Sequence, residues 1–374
     1  MKIAFDGLNI RKGGGQTVLI RLARSFAVHG HQVVVFTASS SIARDLLHDD
    51  LTGVEIETVP GASSAAGALK YRHSEWDAAC QRLGCDAAFG FNYWIPTVLP
   101  QITYHINVIP FLPWKERLVA AGWLRAIIQK HYAQCALYRS AVNLFESNHI
   151  LDLAKRAASK KISNPHVRYI GVDFPDVSQG NILPENFVTA VTSPAPHKRN
   201  EHLFELHRML NREGSQHQKI GLKLVGIGVA DLDANQATQR EKSYATASDS
   251  IEFMGYVDRK TLYETLSRSL ALVSFSELES FFMVALEAMA VGCPTVTTDV
   301  SAIRESVGSS GITVPPGDIA GAARAVQSLL DKATRDEWAD KGRRHASQFS
   351  AEHCAEKIVD IVQQQLGLTN GPAE

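Results

Sequence analysis

The sequence predicts an α/β protein of two doubly wound domains facing a cleft. Residues 1–172 form the first domain and 173–350 the second, with a helix and tail over 351–374 expected to pack back on the first. Three observations predict this. The chain has 374 residues, too many for one ordinary domain and about right for two. Short apolar, β-branched segments alternate with amphipathic helical ones from end to end, the pattern of a mostly parallel sheet covered on both faces. A run rich in chain-breaking residues, from Gly171 to Pro184, interrupts the alternation near the middle and marks the linker.

Each element has its own justification. Ile3-Ala4-Phe5 is a short apolar strand, and Gly13-Gly14-Gly15-Gln16 follows as a loop. Thr17 is placed to cap a helix whose Val18, Leu19, Leu22 and Phe26 keep helical spacing, and Gly30 ends it. Val33–Phe36 is the next buried strand, completing a right-handed βαβ unit. Further strands are expected at Ala87–Phe91, Thr103–Ile106, Ala141–Phe145 and Val167–Ile170. Beyond the linker, strands are expected at Phe187–Val191, Leu222–Val225, Ile251–Phe253, Ala271–Ser274, Thr295–Thr297 and Gly311–Val314. Helices fall from about Glu201, around Glu287 and from Ile319, the last capped by Asp318. Residues 351–367 carry Ile358, Val359, Ile361, Val362 and Leu366 at amphipathic spacing.

Composition excludes several classes. Hydrophobic residues at 45% and charged residues at 21% suit a protein with a sizeable core. No apolar run approaches the roughly 18 residues of a spanning helix, and the charged N-terminus reads as a strand, not a signal peptide. Five scattered cysteines make a poor zinc pattern and fit reduced thiols in a cytoplasmic protein. The net charge of −1 conceals a split: residues 1–172 hold 19 Lys and Arg against 12 Asp and Glu, the remainder 19 against 27. Two halves of opposite sign suit two different partners, neither of them a nucleic acid.

Most of the chemistry lies in Ser274–Pro294. A buried strand runs into a loop carrying Glu279, and a helix opens near Phe282. Ligands of open α/β sheets bind at the carboxyl ends of strands, where Glu279 lies. The amides of Phe282, Met283 and Val284 would form a free helix N-terminus suited to a diphosphate. Glu287, further along the helix, can accept hydrogen bonds from vicinal ribose hydroxyls.

Glu279 to Glu287, a Glu-x7-Glu followed by Ala-Met-Ala-x-Gly-x-Pro, resembles the donor-site signature of family-four retaining glycosyltransferases, among them the phosphatidylinositol mannosyltransferases. The resemblance implies the GT-B fold, two Rossmann-like domains, and transfer of a hexose-type sugar from a UDP- or GDP-linked donor without a metal or other cofactor. It implies that Glu279 touches the transferred sugar, that Glu287 holds the ribose, and that the amides of Met283 and Val284 hold sugar and phosphate. Phe282 stands where the family usually has Gly. Ser193–Asn200 resembles the family's diphosphate-binding loop, with Lys198 as its cation; Thr192 stands where the family often has an Arg, so either Arg199 or His197 supplies that charge or the site carries less of it. Ile251–Val257, which includes Tyr256, resembles the segment near the nucleotide base, and Glu305, Gly308 and Pro316-Gly317-Asp318 resemble later landmarks.

In the first half, Gly14 and Gly15 sit where the family has a glycine-rich loop. His105 falls where relatives place a His at a strand end facing the cleft, although Asn107 is an alternative for that position. Asp231-Leu232-Asp233 matches a metal-binding Asp-x-Asp but sits in a polar stretch and is read as incidental. The stretch from Phe111 to Tyr132 mixes aromatics with Lys115, Arg117, Arg125 and Lys130. It suits either an interdomain helix or peripheral contact with the inner face of a membrane carrying a lipid-linked or glycan acceptor. Two other readings compete. A sugar-nucleotide epimerase would need first-domain carboxylates such as Asp6 and Glu146, and a sugar-nucleotide-binding scaffold would have no need of an intact Lys198, Glu279 and Glu287.

Overall fold

A computed structural model describes residues 1–10, 13–47, 52–174, 185–212, 218–232 and 239–367. The chain divides into two compact units: Met1–Gly171 with the chain from Ala351 onward, and Val172–Ser350.

The first unit contains seven strands: β1 (Lys2–Asp6), β2 (Gln32–Thr37), β3 (Val54–Thr58), β4 (Ala87–Phe91), β5 (Gln101–His105), β6 (Val142–Phe145) and β7 (Pro165–Val167). They form one sheet in the order β3-β2-β1-β4-β5-β6-β7, every pair parallel. The strand order reverses between β1 and β4, the position where open sheets of this kind bind ligands. Beside the sheet, Phe5 stacks on Phe89 with centroids 4.6 Å apart, and Phe26 meets Phe5 edge-on. The helix Ala351–Gln365 belongs to this unit, where Gln363 bonds His31 at 2.9 Å and Gln365 bonds Asn164.

The second unit contains β8 (Phe187–Val191), β9 (Gly221–Val225), β10 (Ile251–Gly255), β11 (Ala271–Ser274), β12 (Thr295–Thr298) and β13 (Ile312–Val314). Their order is β10-β9-β8-β11-β12-β13, again all parallel, so β8 and β11 flank the reversal. The core is largely aliphatic, with Leu203, Leu206, Leu222, Leu224, Val273 and Val326 among its buried members beside Phe204 and Phe275.

Two local expectations change, and one strand is added. The first helix spans Gly14–Val28, with Gly13 at φ +122° ahead of it; the Thr17 N–H donates to the Gly13 carbonyl, so Thr17 lies in the first turn and is not the cap. The seventh strand lies at Pro165–Val167, two residues earlier than expected. It is an edge strand, where proline is tolerated, and an isolated bridge from Val172 to Ser350 takes up the chain beyond it. Strand β3, Val-Glu-Ile-Glu-Thr, is a further edge strand whose half-polar sequence hides it from an apolar-run reading. Of the linker, residues 175–184 lie outside the described residues.

Candidate active site

Strands β8 and β11 lie side by side, and the loop leaving each carries a charged residue of the candidate site. After β8, the Thr192 hydroxyl donates to Asn200 Oδ1 at 2.6 Å and Asn200 Nδ2 donates to the Ser193 carbonyl, which closes the loop. A 3-10 turn over Pro196–Lys198 follows, and Arg199 at φ +50° turns the chain into the helix Asn200–Leu210. After β11, Thr298 anchors the second loop by donating to the Ser276 carbonyl. The two loops are joined through backbone, the Glu277 N–H donating to the His197 carbonyl at 2.8 Å.

This scaffold brings Lys198 and Glu279, 81 residues apart, to 2.6 Å between Nζ and Oε1. Their side chains are 17% and 14% exposed, so the pair is largely removed from water and its electrostatics are strengthened. His197 beside them has its pKa lowered, first by burial and then by the Lys198 charge, which favours a neutral imidazole. Arg199 faces carboxylates, Glu277 at 2.7 Å and Glu201 at 3.7 Å. Its charge is therefore already matched within the chain, and Lys198 is the cation that stands with Glu279.

The helix Met283–Ala290 begins immediately after Phe282. Phe282 has φ −81° and ψ +71°, an inverse γ-turn, and the Met283 N–H donates to the Phe281 carbonyl at 2.8 Å. The expectation of three free amides here is corrected, because the turn engages that of Met283. A negative φ also accommodates a side chain where the family's Gly would stand, and the Phe282 ring is buried. Val284 follows in the first turn, half-buried. Glu287 is buried on the same helix and bonds Arg259 Nη2 at 2.5 Å. The Gly292 of the motif has a structural reason: it has φ +78°, and a Cβ there would meet the Arg343 guanidinium at 2.0 Å. Tyr256 follows β10 and is exposed, and Gly255 closes on Gly226, whose N–H donates to its carbonyl. Asp231 accepts the Gly228 N–H at 2.8 Å in a local turn, while Asp233 lies outside the described residues.

In the first unit, Gly14 and Gly15 are the opening residues of their helix, Gly14 exposed. His105 departs from its expected setting. Instead of facing open space at a strand end, its ring is fully enclosed, stacked 4.7 Å from Phe145, with Nε2 bonded to Asn143 Oδ1 at 2.9 Å. Burial pushes its pKa down to about 4, against a smaller opposing effect of Asn143, so the ring is neutral at physiological pH. Asn107, the alternative, caps its own turn by accepting the Ile109 N–H. Two groupings escaped the sequence reading: Arg259 with Glu287 and Asp173, and the buried Arg72, which holds both carboxylate oxygens of Asp6 at the end of β1. Each joins residues far apart in sequence, and no local pattern signals them.

Residues 176–345 match the family described as glycosyl transferases group 1. The matched stretch spans nearly the whole of the second unit, Val172–Ser350. Its curated relatives include a glycogen synthase of Mycobacterium tuberculosis, 43% identical over 81 residues, covering 21% of this chain and 20% of that protein. The O-antigen chain mannosyltransferase B of Escherichia coli is 33% identical over 111 residues, 29% of each chain. A D-inositol 3-phosphate glycosyltransferase of Geodermatophilus obscurus is 31% identical over 155 residues, 41% of this chain and 34% of that one. These matches span between a fifth and about a third of the relatives' lengths. Solved structures extend the likeness in fold to the whole chain. The sucrose-phosphate synthase of Thermosynechococcus elongatus aligns over 99% of this chain and 100% of its own with a TM-score of 0.78 at 17% identity. WaaG, a glycosyltransferase involved in lipopolysaccharide biosynthesis, aligns over 96% and 99% with a TM-score of 0.74 at 16% identity. The fold is GT-B, and β8–β13 form the sheet of its second half.

Proposed function

We propose that the protein transfers a hexose-type sugar from a UDP- or GDP-linked donor to a glycan or lipid-linked acceptor of cell-surface polysaccharide or glycolipid synthesis, with retention of configuration and without a metal ion. The observation that carries this reading is the Lys198–Glu279 pair at the β8/β11 reversal of the second unit. In it, the ammonium faces the donor diphosphate and stabilises the negative charge that grows there as the glycosidic bond breaks. Glu279 orients the sugar, and Glu287 accepts from the ribose hydroxyls. The leaving phosphate helps to take the acceptor proton on the face from which it departs.

The acceptor side of the reading rests on the helix Trp123–Arg139. Its buried residues are Ala126, Gln129, Ala133, Ala136 and Leu137, whereas Trp123, Leu124, Ile127 and Ile128 are exposed. The largest apolar side chains thus face outward, with Lys115, Arg125 and Lys130 exposed beside them, which suits peripheral contact with an anionic membrane. No helix among the described residues is long and apolar enough to cross one.

The test is product analysis after incubation with UDP- and GDP-sugars, with and without excess EDTA. Sugar transfer or slow donor hydrolysis that survives chelation is expected, and Lys198→Ala is expected to lower kcat on the order of 10²-fold. Turnover that required added magnesium or manganese would overturn the metal-free reading, and an epimerised donor would overturn transfer itself.

A further inference from the structure

Glu287 is 5% exposed, so its carboxylate depends on fixed partners to be oriented and compensated. The partner is Arg259, on the helix Arg259–Ser267, whose first turn is held by Asp258 capping the Thr261 N–H. Arg259 Nη2 lies 2.5 Å from Glu287 Oε1, and Nη1 bonds Asp173. Its guanidinium carbon is 5.8 Å from the Tyr263 ring centroid. The planar fork is therefore held between two carboxylates and beside an aromatic face, the setting in which arginine and lysine are not interchangeable. Of the two Glu287 oxygens, Oε1 is the one Arg259 engages.

We infer that Arg259 is a positioning residue for the donor nucleotide: it fixes the Glu287 carboxylate so that the second oxygen is presented to the ribose hydroxyls. This rests on the reading of Glu287 as the ribose acceptor. Arg259 itself is not a catalytic residue, because it acts through Glu287. Asp173 clamps the guanidinium from its other end, and its loss should loosen the arrangement without removing it.

The consequence is a discrimination, not merely an affinity. Titration calorimetry would use whichever of UDP and GDP binds, together with its 2′-deoxy counterpart. A hydroxyl bonded to a carboxylate is worth roughly 1.5–3 kcal/mol, so the native protein should prefer the ribonucleotide by about 10-fold or more. In Arg259→Ala that preference should collapse to within about threefold, in Asp173→Asn it should fall partially, and Arg259→Lys should restore less than half of it in logarithmic terms. If Arg259→Ala does not fold, Arg259→Gln keeps the length without the charge and should show at least a threefold fall. Equal weakening of both nucleotides, with the preference intact, would overturn the inference by making Arg259 merely structural. Glu287→Gln separates the two ideas. If its ribose preference persists, the reading of Glu287 fails; if it loses the preference while Arg259 variants keep it, only the present inference fails.

Discussion

His105 offers a prediction whose sign and size both follow from its surroundings. The ring is enclosed by Phe111 and Phe145, and its sole hydrogen-bond partner among the described residues is the neutral Asn143. Its pKa therefore falls from the ordinary 6.5 to about 4 in the folded protein. A lowered folded value means that the unfolded or opened chain takes the proton first. The stabilisation is complete above pH 6.5 and is lost as the pH falls toward 4, by at most about 3 kcal/mol. Between pH 7.5 and 5 the loss comes to about 2 kcal/mol, or roughly 30-fold in an opening equilibrium. Hydrogen exchange of the β5 peptide Gln101–His105, corrected for intrinsic rates, reads that opening directly. Protection should drop by roughly that factor on acidification, and His105→Gln should remove most of the pH dependence while lowering protection at pH 7.5. Protection that rose on acidification would mean a stabilised imidazolium. A pH dependence identical in the variant would show that another group carries it. Either result would refute the reasoning.

Other perturbations probe the second unit and the exposed helix. Glu279→Gln releases Lys198 from its 2.6 Å partner, so it should tighten binding of the free nucleoside diphosphate several-fold while lowering turnover; weaker binding, measured by calorimetry, would contradict this. Gly226 has φ +92°, and a Cβ there would lie 2.3 Å from the Thr192 carbonyl oxygen, directly ahead of the Lys198 loop. Gly226→Ala should cost about 2 kcal/mol or more and lower the thermal transition of the second unit by roughly 5 °C, read by calorimetry. Trp123→Ser with Ile127→Ser should abolish co-flotation with vesicles rich in anionic lipid while leaving donor hydrolysis unchanged, and unaltered flotation would remove this helix from the membrane reading.

Much of the fold was legible because buried parallel strands are continuous apolar runs. Val33–Phe36 and Ala87–Phe91 have nothing polar to blur them, Ala271–Ser274 has only its final serine, and each appears as a strand. Strand β3 was not legible, since an edge strand need only be half apolar. The helices Ala65–Ser74 and Trp76–Leu83 also escaped, although Trp76 is a wholly buried residue packed on Phe36 at 4.5 Å. Many of their apolar residues are alanines, so spacing carries little signal, and one indole fills the space of several aliphatic side chains.

The candidate site divides along a similar line. Glu279 was legible as a carboxylate at a strand's carboxyl end, and Lys198 through the resemblance of its loop to a diphosphate-binding one; the strand order makes those loops neighbours. Arg259 could not, because it meets Glu287 across 28 residues and Asp173 across 86, and an arginine near the start of a helix looks like any solvated one. The replacements at Thr192 and Phe282 show the same limit from the other side. Read in sequence, Thr192 is a missing cation and Phe282 a bulky residue where the family usually has Gly. In the fold, the Thr192 hydroxyl is part of the brace on Asn200 that shapes the Lys198 loop, and Phe282 adopts a backbone conformation open to any L-residue with its ring buried. With Arg199 matched by Glu277 and Glu201, Lys198 is the cation bonded to Glu279 among the described residues. Under the proposed function, one cation bonded to one carboxylate makes the incoming diphosphate and Glu279 competitors for the same ammonium, so donor binding would itself free Glu279 to meet the sugar.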